Sequence, residues 1–316
     1  RSRLSGTINL YKSNTTNLLL TRSIPIFNGF TSVLDNIGKV KNKGLEIQLN
    51  SQNIRNNDFL WGTGFNFWIN RNKIASLYGL DGNKDGVEDD DIATGRFIGK
   101  SLGANYTYVM DGIIQKTDAE YIAIYGGRPG DIKFKDLNDD GKIDAKDRTI
   151  VGYDKPNFTM TLSNTVGYKN LELYVLVNFI AGGGKDNWYV SNNPYPYFPN
   201  ALYGGTAANW LDKEYWTPDN PSNSVTSVNY NNSAFGYQFP KSREFVRLQD
   251  VALSYILPAT ILSRAHISSA KVFLSGKNLL TFSKWEGLDP ESGTTFATLN
   301  NYPVFKIITF GVNVSF

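Results

Sequence analysis

Hydrophobic and polar positions alternate with a period of two along most of this chain. The clearest run is Phe158–Tyr168. There Phe158, Met160, Leu162, Val166 and Tyr168 are apolar, while Thr159, Thr161, Ser163 and Thr165 are small and polar. Successive side chains of a strand point to opposite faces, so the run predicts a strand with one apolar face and one wet face. Leu171, Leu173, Val175, Val177 and Phe179 repeat the pattern against Glu172 and Asn178, and Lys169 and Asn170 between the two runs predict a tight hairpin. The last run sets Ile308, Phe310, Val312, Val314 and Phe316 on one face and Thr309, Gly311, Asn313 and Ser315 on the other. Similar runs at Arg3–Lys12, Lys43–Ser51, Phe59–Asn70, Ala104–Ile114, Phe245–Leu257 and Lys271–Phe282 bring the expectation to about nine strands. Helix signals are confined to one short turn over Ala207–Tyr215.

Most runs approach the roughly 9–11 residues that a tilted strand needs to cross membrane hydrocarbon. Their connections are unequal. Asn53–Asn57 and the Lys169 turn are short, whereas Ala181–Pro240 is long and rich in Gly, Asn, Pro and aromatics. Short turns on one side and long loops on the other is the layout of an outer-membrane barrel. A β-sandwich also alternates, but its inner faces pack a shared core. It does not usually set so thin a face of Thr, Ser, Gly and Asn opposite such long strands. The pattern therefore favours an all-β, antiparallel transmembrane barrel over a sandwich.

Composition is compatible with this reading and removes several others. The 316 residues suffice for one large β domain or two small ones. Aromatics reach 14% although mean hydropathy is only −0.31, a pairing that alternating strands produce. A helical membrane protein needs apolar runs of about 18 residues or more; the richest stretch, Leu171–Ala181, is interrupted by Glu172 and Asn178. With 32 Lys and Arg against 29 Asp and Glu, and no basic run, the chain offers no nucleic-acid surface. It has no cysteine, hence no disulfide or thiolate chemistry. Arg1 opens on a strand-like run with neither Met nor a signal-peptide pattern, so the first residue is expected to lie mid-protein.

Two constellations carry candidate chemistry. Residues 136–147 fit a calcium loop: Asp136, Asn138 and Asp140 fall at positions 1, 3 and 5, Gly141 at the sharp-turn position, Lys142 offers its carbonyl, and Asp144 and Asp147 follow at 9 and 12. A hard cation wants about 6–8 converging oxygens, which this spacing supplies. Asp147 replaces the usual Glu, as in dockerin-type loops. The alternative is a solvated acidic turn, since Asn, Asp and Gly favour turns in any case. Asp81–Asp89 is a weaker echo and reads as an acidic loop. The second constellation is aromatic. Trp188, Tyr189, Tyr195, Tyr197, Trp210 and Trp216 crowd one loop, where they stack on a ligand, meet a lid, pack on each other or form an interfacial belt. The single His266 supports no metal cluster and no catalytic triad. Glu46, Glu172 and Glu244 sit at polar-face phase, the ordinary place for charges inside a barrel, so no enzyme is expected.

Several phrases make the chain resemble the SusC/RagA group of TonB-dependent transporters. Asn36, Gly38, Asn42, Lys43, Gly44 and Glu46 match the group's NxGxxxNKGxE phrase, and Tyr108, Asp111, Gly112, Ile113 and Gln115 its YxxDGIxQ phrase. Pro129–Asp144 with Asp147–Gly152, Trp216–Pro221 and the aromatic-ended strand Thr309–Phe316 are similar to further parts of it. The resemblance runs in order along essentially the whole chain. It implies a bacterial outer-membrane protein importing a bulky nutrient, either a glycan or an oligopeptide. It further implies energy from TonB, a SusD-like lipoprotein lid, and residues 1–316 as the C-terminal part of a barrel of about 22 strands. The signal peptide, TonB box, plug domain and first barrel strands are then expected outside this chain. Two other readings stay open on the residues alone: a secreted β-sandwich carbohydrate-binding module with a calcium loop, and a β-fold glycosidase.

Overall fold

A computed structural model describes residues 3–24, 26–186, 213–228, 230, 235–263, 267–286, 289–291 and 304–316. The chain opens with three long strands, β1 (Leu4–Ser23), β2 (Ser32–Arg55) and β3 (Phe59–Ser76). Short elements follow: β4 (Ala104–Tyr108), β5 (Met110–Ile113), α1 (Ala119–Tyr125), β6 (Ile132–Phe134) and β7 (Arg148–Tyr153). Next come β8 (Phe158–Tyr168), β9 (Leu171–Ala181), and the short β10 (Gly184–Asp186) and β11 (Pro240–Ser242). β12 (Phe245–Ile256), α2 (Ala259–Leu262), β13 (Ser269–Ser283) and β14 (Ile307–Ser315) complete the order.

Eight of these strands form one antiparallel sheet in the order β1-β2-β3-β8-β9-β12-β13-β14. It is an up-and-down meander, because sequence neighbours pair once the short strands are set aside. Two of the connections at one end are short. Asn56 closes the β2–β3 turn by accepting from the N–H groups of Asp58 and Phe59 at 3.1 and 2.7 Å. Lys169 makes the β8–β9 turn in the left-handed region, at φ 53°. Three of the connections at the other end are long: residues 77–157, 182–244 and 284–306.

Period two decides what each face of this wall carries. Trp61, Val166, Leu173, Leu253, Leu274 and Phe310 form one cross-strand row, and Phe67, Met160, Phe179, Val246 and Phe282 another. Phe310 and Ile308 are 70% and 76% exposed, so at β14 this apolar face packs on nothing among the described residues. The opposite face carries Thr, Ser, Asn, Gln and Gly. A bulge at Gln249 switches parity inside β12: Val246 and Leu248 above it, and Val251, Leu253 and Tyr255 below it, all face the apolar side.

The buried core lies elsewhere, in the long connections. Tyr108, Ile113, Ile132, Phe134, Trp216, Tyr230, Tyr237 and Phe239 pack into one cluster, joined by Phe235, whose ring lies 5.4 Å from Tyr108 and 5.0 Å from Phe134. The 77–157 and 182–244 connections therefore build one loop module together. This corrects one expected strand. Ala104–Ile114 is not part of the wall; it breaks at Val109 into β4 and β5, which pair with β7 and β6. The reason is burial on both sides: Tyr108, Ile113 and Ile114 are 7%, 1% and 2% exposed, which a wall strand with one free apolar face does not allow. The wall accordingly has eight described strands, not nine. The helical turn expected over Ala207–Tyr215 falls largely outside the described residues, and 213–215 are not helical.

Candidate functional site

The polar face of β1–β3 and β8 carries a shallow groove of about 310 Å³. Its floor is two neighbouring rows, Thr7–Gln48–Asn66–Thr161 and Asn9–Glu46–Trp68–Thr159. Asn66 Nδ2 donates to Thr161 Oγ1 at 3.0 Å, while Trp68 remains 44% exposed. Amides, hydroxyls, one carboxylate and a flat indole thus share one wall patch, which can hydrogen-bond and stack on a polar ligand. Glycine makes room beside it. The Tyr11 ring lies flat over Gly44, where a Cβ would fall 2.2 Å from the ring, so the Gly44 of the NKG phrase is a place where a strand residue has no side chain because its neighbour's ring occupies the space. Two strands to the side of the groove, in the row of Thr161 and Asn178, Arg247 is 2% exposed, held by Asp289 at 2.8 Å and by Glu291, and donates to Thr281 Oγ1 at 3.0 Å. It clamps residues 289–291 to the wall. Glu46 and Glu172 are not brought together. β3 and β8 separate their strands, and Glu172 stands eight residues below Ile180, which lies opposite Thr159 in the row of Glu46. That spacing is about 25 Å along the strands alone. Glu244 lies just before β12.

The loop module holds a second cleft, about 550 Å³, lined by Asp111, Gln115, Asp118, Lys133, Trp216 and Pro221 among others. Trp216 is 8% exposed and donates from Nε1 to Gln115 Oε1 at 2.9 Å. It is thus both a core residue and part of the cleft wall. The YxxDGIxQ phrase supplies the cleft's opposite side: Gly112 is at φ +109°, and the Ile113 N–H donates to Asn223 Oδ1 at 2.9 Å. Asp118 accepts from the Gln115 N–H at 2.9 Å and from Lys133 Nζ at 3.2 Å. The Gln115 N–H first, and then the Lys133 ammonium, hold its carboxyl below the usual range. Trp188, Tyr189, Tyr195, Tyr197 and Trp210, and His266, lie outside the described residues.

Residues 136–147 adopt a chain of Asx turns. Asp136 accepts from the Gly141 N–H at 2.8 Å, Asn138 from the Asp140 N–H at 3.1 Å, and Asp140 from the Lys142 N–H at 3.1 Å. Asp144 caps the Ala145–Asp147 turn by accepting from Lys146 N–H at 2.8 Å. Asp147 is fully buried and accepts from the N–H groups of Leu137 and Asp144 at 2.9 and 2.7 Å. Desolvation raises the Asp136 pKa, but the Gly141 N–H and the Tyr125 hydroxyl outweigh it and leave the carboxyl below its usual range. The loop at Asp81 repeats the same turns, Asp81 accepting from the Gly86 N–H at 2.9 Å. Among the described residues no group of three or more Asp, Glu, His or Cys side chains is arranged to hold a metal ion. Sequence reasoning did not single out Trp68, Gln48 and Asn66. Their only signal is polar-face phase on adjacent strands, which becomes a patch once the register is known.

No family model matches the sequence. The chain is similar to TonB-dependent receptor P3 of Formosa agariphila, 31% identical over 339 residues that cover 100% of the chain and 32% of the receptor. It is also similar to TonB-dependent receptor SusC of Bacteroides thetaiotaomicron, 26% identical over 326 residues that cover 99% of the chain and 30% of that protein. Among solved structures it superimposes on the RagAB peptide importer in the open-open state with a TM-score of 0.72 at 25% identity, covering 99% of the chain and 33% of that one. The chain thus spans about one third of the length of these relatives. Both the phrases and the fold point one way: this chain is a β-barrel stretch of a SusC/RagA-type TonB-dependent receptor of the bacterial outer membrane.

Proposed function

We propose that the chain forms wall and mouth of an importer that carries a bulky nutrient, a glycan or an oligopeptide, across the outer membrane. In this reading it works with the TonB system and under a SusD-like lipoprotein lid. The observation that carries it is the pairing of faces. An apolar side suited to lipid stands behind a polar groove with an exposed indole, so the same strands that hold the membrane line a path for solute. Both β1 and β14 are sheet edges. In lipid, each unpaired N–H or C=O costs several kcal/mol, so in this reading further strands close the barrel, and the resemblance implies a plug inside it. The long connections face outward, where Trp216, Pro218 and Pro221 of the module cleft meet the nutrient or the lid. Trp188, Tyr189, Tyr195, Tyr197 and Trp210 serve the same contact.

Uptake by cells bearing the full-length receptor tests this. Labelled oligosaccharides and oligopeptides are offered with and without a working TonB system. Import of one class, dependent on TonB and lowered several-fold by Trp68→Ala, is the expected result; import of neither, or import indifferent to TonB, refutes it. A protease site inserted near Asn220 is expected to be cut on intact cells, and a site reached only from the periplasm inverts the topology.

We further propose that calcium orders residues 136–147, with Asp136, Asn138, Asp140 and Asp144 as side-chain ligands, the Lys142 carbonyl as another, and Asp147 closing the loop. The spacing and the sharp turn at Gly141, φ +78°, support this. Titration with millimolar calcium is expected to order the loop, and chelation to loosen it. A structure determined in calcium with those oxygens still diverging overturns the assignment.

A further inference from the structure

The apolar face of β1–β3 changes character abruptly towards the long-loop end. Leu10, Leu45 and Ile69 stand side by side in one row of the sheet. Two residues further along each strand the row becomes Lys12, Lys43 and Arg71, and beyond it Lys41 lies opposite Lys73. No register shift intervenes, so these cations share the face of the apolar row beneath them. All five are exposed. None of the ion pairs among the described residues involves any of them. Arg71 donates to the carbonyls of Asn157 and Asn70 at 2.6 and 3.1 Å. A groove of about 450 Å³ crosses the boundary, lined by Leu10, Lys12, Lys43, Leu45, Ile69 and Arg71 among others.

Neighbouring strands lie about 4.8 Å apart, so Lys12, Lys43 and Arg71 fit within about 10 Å. Like charges this close repel unless an anion is shared between them. Phosphate suits the set, as Arg offers a planar fork and Lys a point charge. The apolar row directly below asks that the same ligand carry hydrocarbon. We infer that this shelf binds a phosphorylated glycolipid of the outer leaflet, its phosphates on Lys12, Lys43 and Arg71 and its acyl chains along Leu10, Leu45 and Ile69. The inference rests on outer-membrane placement and on the long connections facing outward.

The full-length receptor, purified in detergent and stripped of lipid, is titrated with diphosphoryl lipid A, with the same lipid dephosphorylated, and with phosphatidylglycerol; bound lipid is counted by native mass spectrometry. The diphosphoryl form is expected to bind most tightly. The triple variant Lys12→Gln, Lys43→Gln, Arg71→Gln is expected to weaken it about a hundredfold, while Lys12→Arg with Lys43→Arg retains it. If the triple variant does not fold, Lys41→Gln with Lys73→Gln is measured instead, and about a thirtyfold loss is expected. Unchanged binding by the folded variant, or equal binding of the phosphorylated and dephosphorylated lipids, overturns the proposal. Tighter binding of phosphatidylglycerol overturns the choice of a glycolipid. Binding is read without nutrient, so a failure of import leaves this result intact, and inverted topology shows separately at the Asn220 cleavage site.

Discussion

The barrel wall and the loop module satisfy the same chain in opposite ways. The wall is one layer without a packed core among the described residues: each inner strand bonds laterally to two others, the edge strands β1 and β14 to one, one face is apolar and the other polar, and residues such as Phe310 stay open. The module hides its apolar groups from water in the ordinary manner, with eight side chains packed into one cluster. Stability in the wall is thus held by backbone pairing and by what the membrane tolerates, and in the module by close packing. A single substitution should therefore damage one region and spare the other.

The largest expected effect is Trp216→Ala. It empties a buried indole site and leaves Gln115 Oε1 without its 2.9 Å donor, which should cost the module about 3–5 kcal/mol. Hydrogen exchange should then quicken over 104–153 while the barrel keeps its resistance to heat; a barrel that melts with the module denies the division. Next is Val312→Arg, on the lipid face, expected to cost about 2–4 kcal/mol near mid-membrane, against far less for Asn313→Arg on the lumen face. Denaturant titration in liposomes measures both, and equal tolerance removes the assignment of faces. Gly130→Ala follows. Gly130 is at φ +95°, and a Cβ there would lie 2.6 Å from the Trp216 ring and 2.7 Å from Ser227, so about 1–3 kcal/mol of strain and overpacking should again fall on the module alone. The smallest effect is pH. Asp118 has a depressed pKa in the fold, chiefly through the Gln115 N–H and then Lys133. Its contribution is present above the ordinary carboxylate value of about 3.9 and lost as pH falls through the lower folded value. Exchange of the Gln115 amide should stay slow from neutral pH down to that range and quicken below it; a loss already complete at pH 5–6 contradicts this.

Some strand boundaries were legible because lipid enforces alternation. Phe158–Tyr168 appears in the fold as it reads in the sequence, and the run Leu171–Phe179 continues only to Ala181. The strands β1 and β2 were read too short, since Ser13–Asn17 and Ser32–Gly38 lack the alternation that lipid demands, yet the two strands still pair there, Ser13–Ser23 against Ser32–Asn42 with a bulge after Thr15. Ala104–Ile114 was read as wall because β4 and β5 in a packed module show the same short apolar runs. The parity switch at Gln249 was invisible, as a bulge is a property of two paired strands.

What the sequence determined by itself is the barrel and its lineage. Period-two alternation follows from a strand placed between two solvents, and the Asn36–Glu46 and Tyr108–Gln115 phrases stand in the chain to be read. What only the tertiary structure decided is which residues stand together. The groove of Glu46, Trp68 and Asn66, the row of Lys12, Lys43 and Arg71, and the core around Trp216 each join residues from separate strands or loops. Register and loop packing set those meetings. A shift of one residue would send every such side chain to the other face, so alternation within a strand specifies the face and leaves the neighbours across it to the fold.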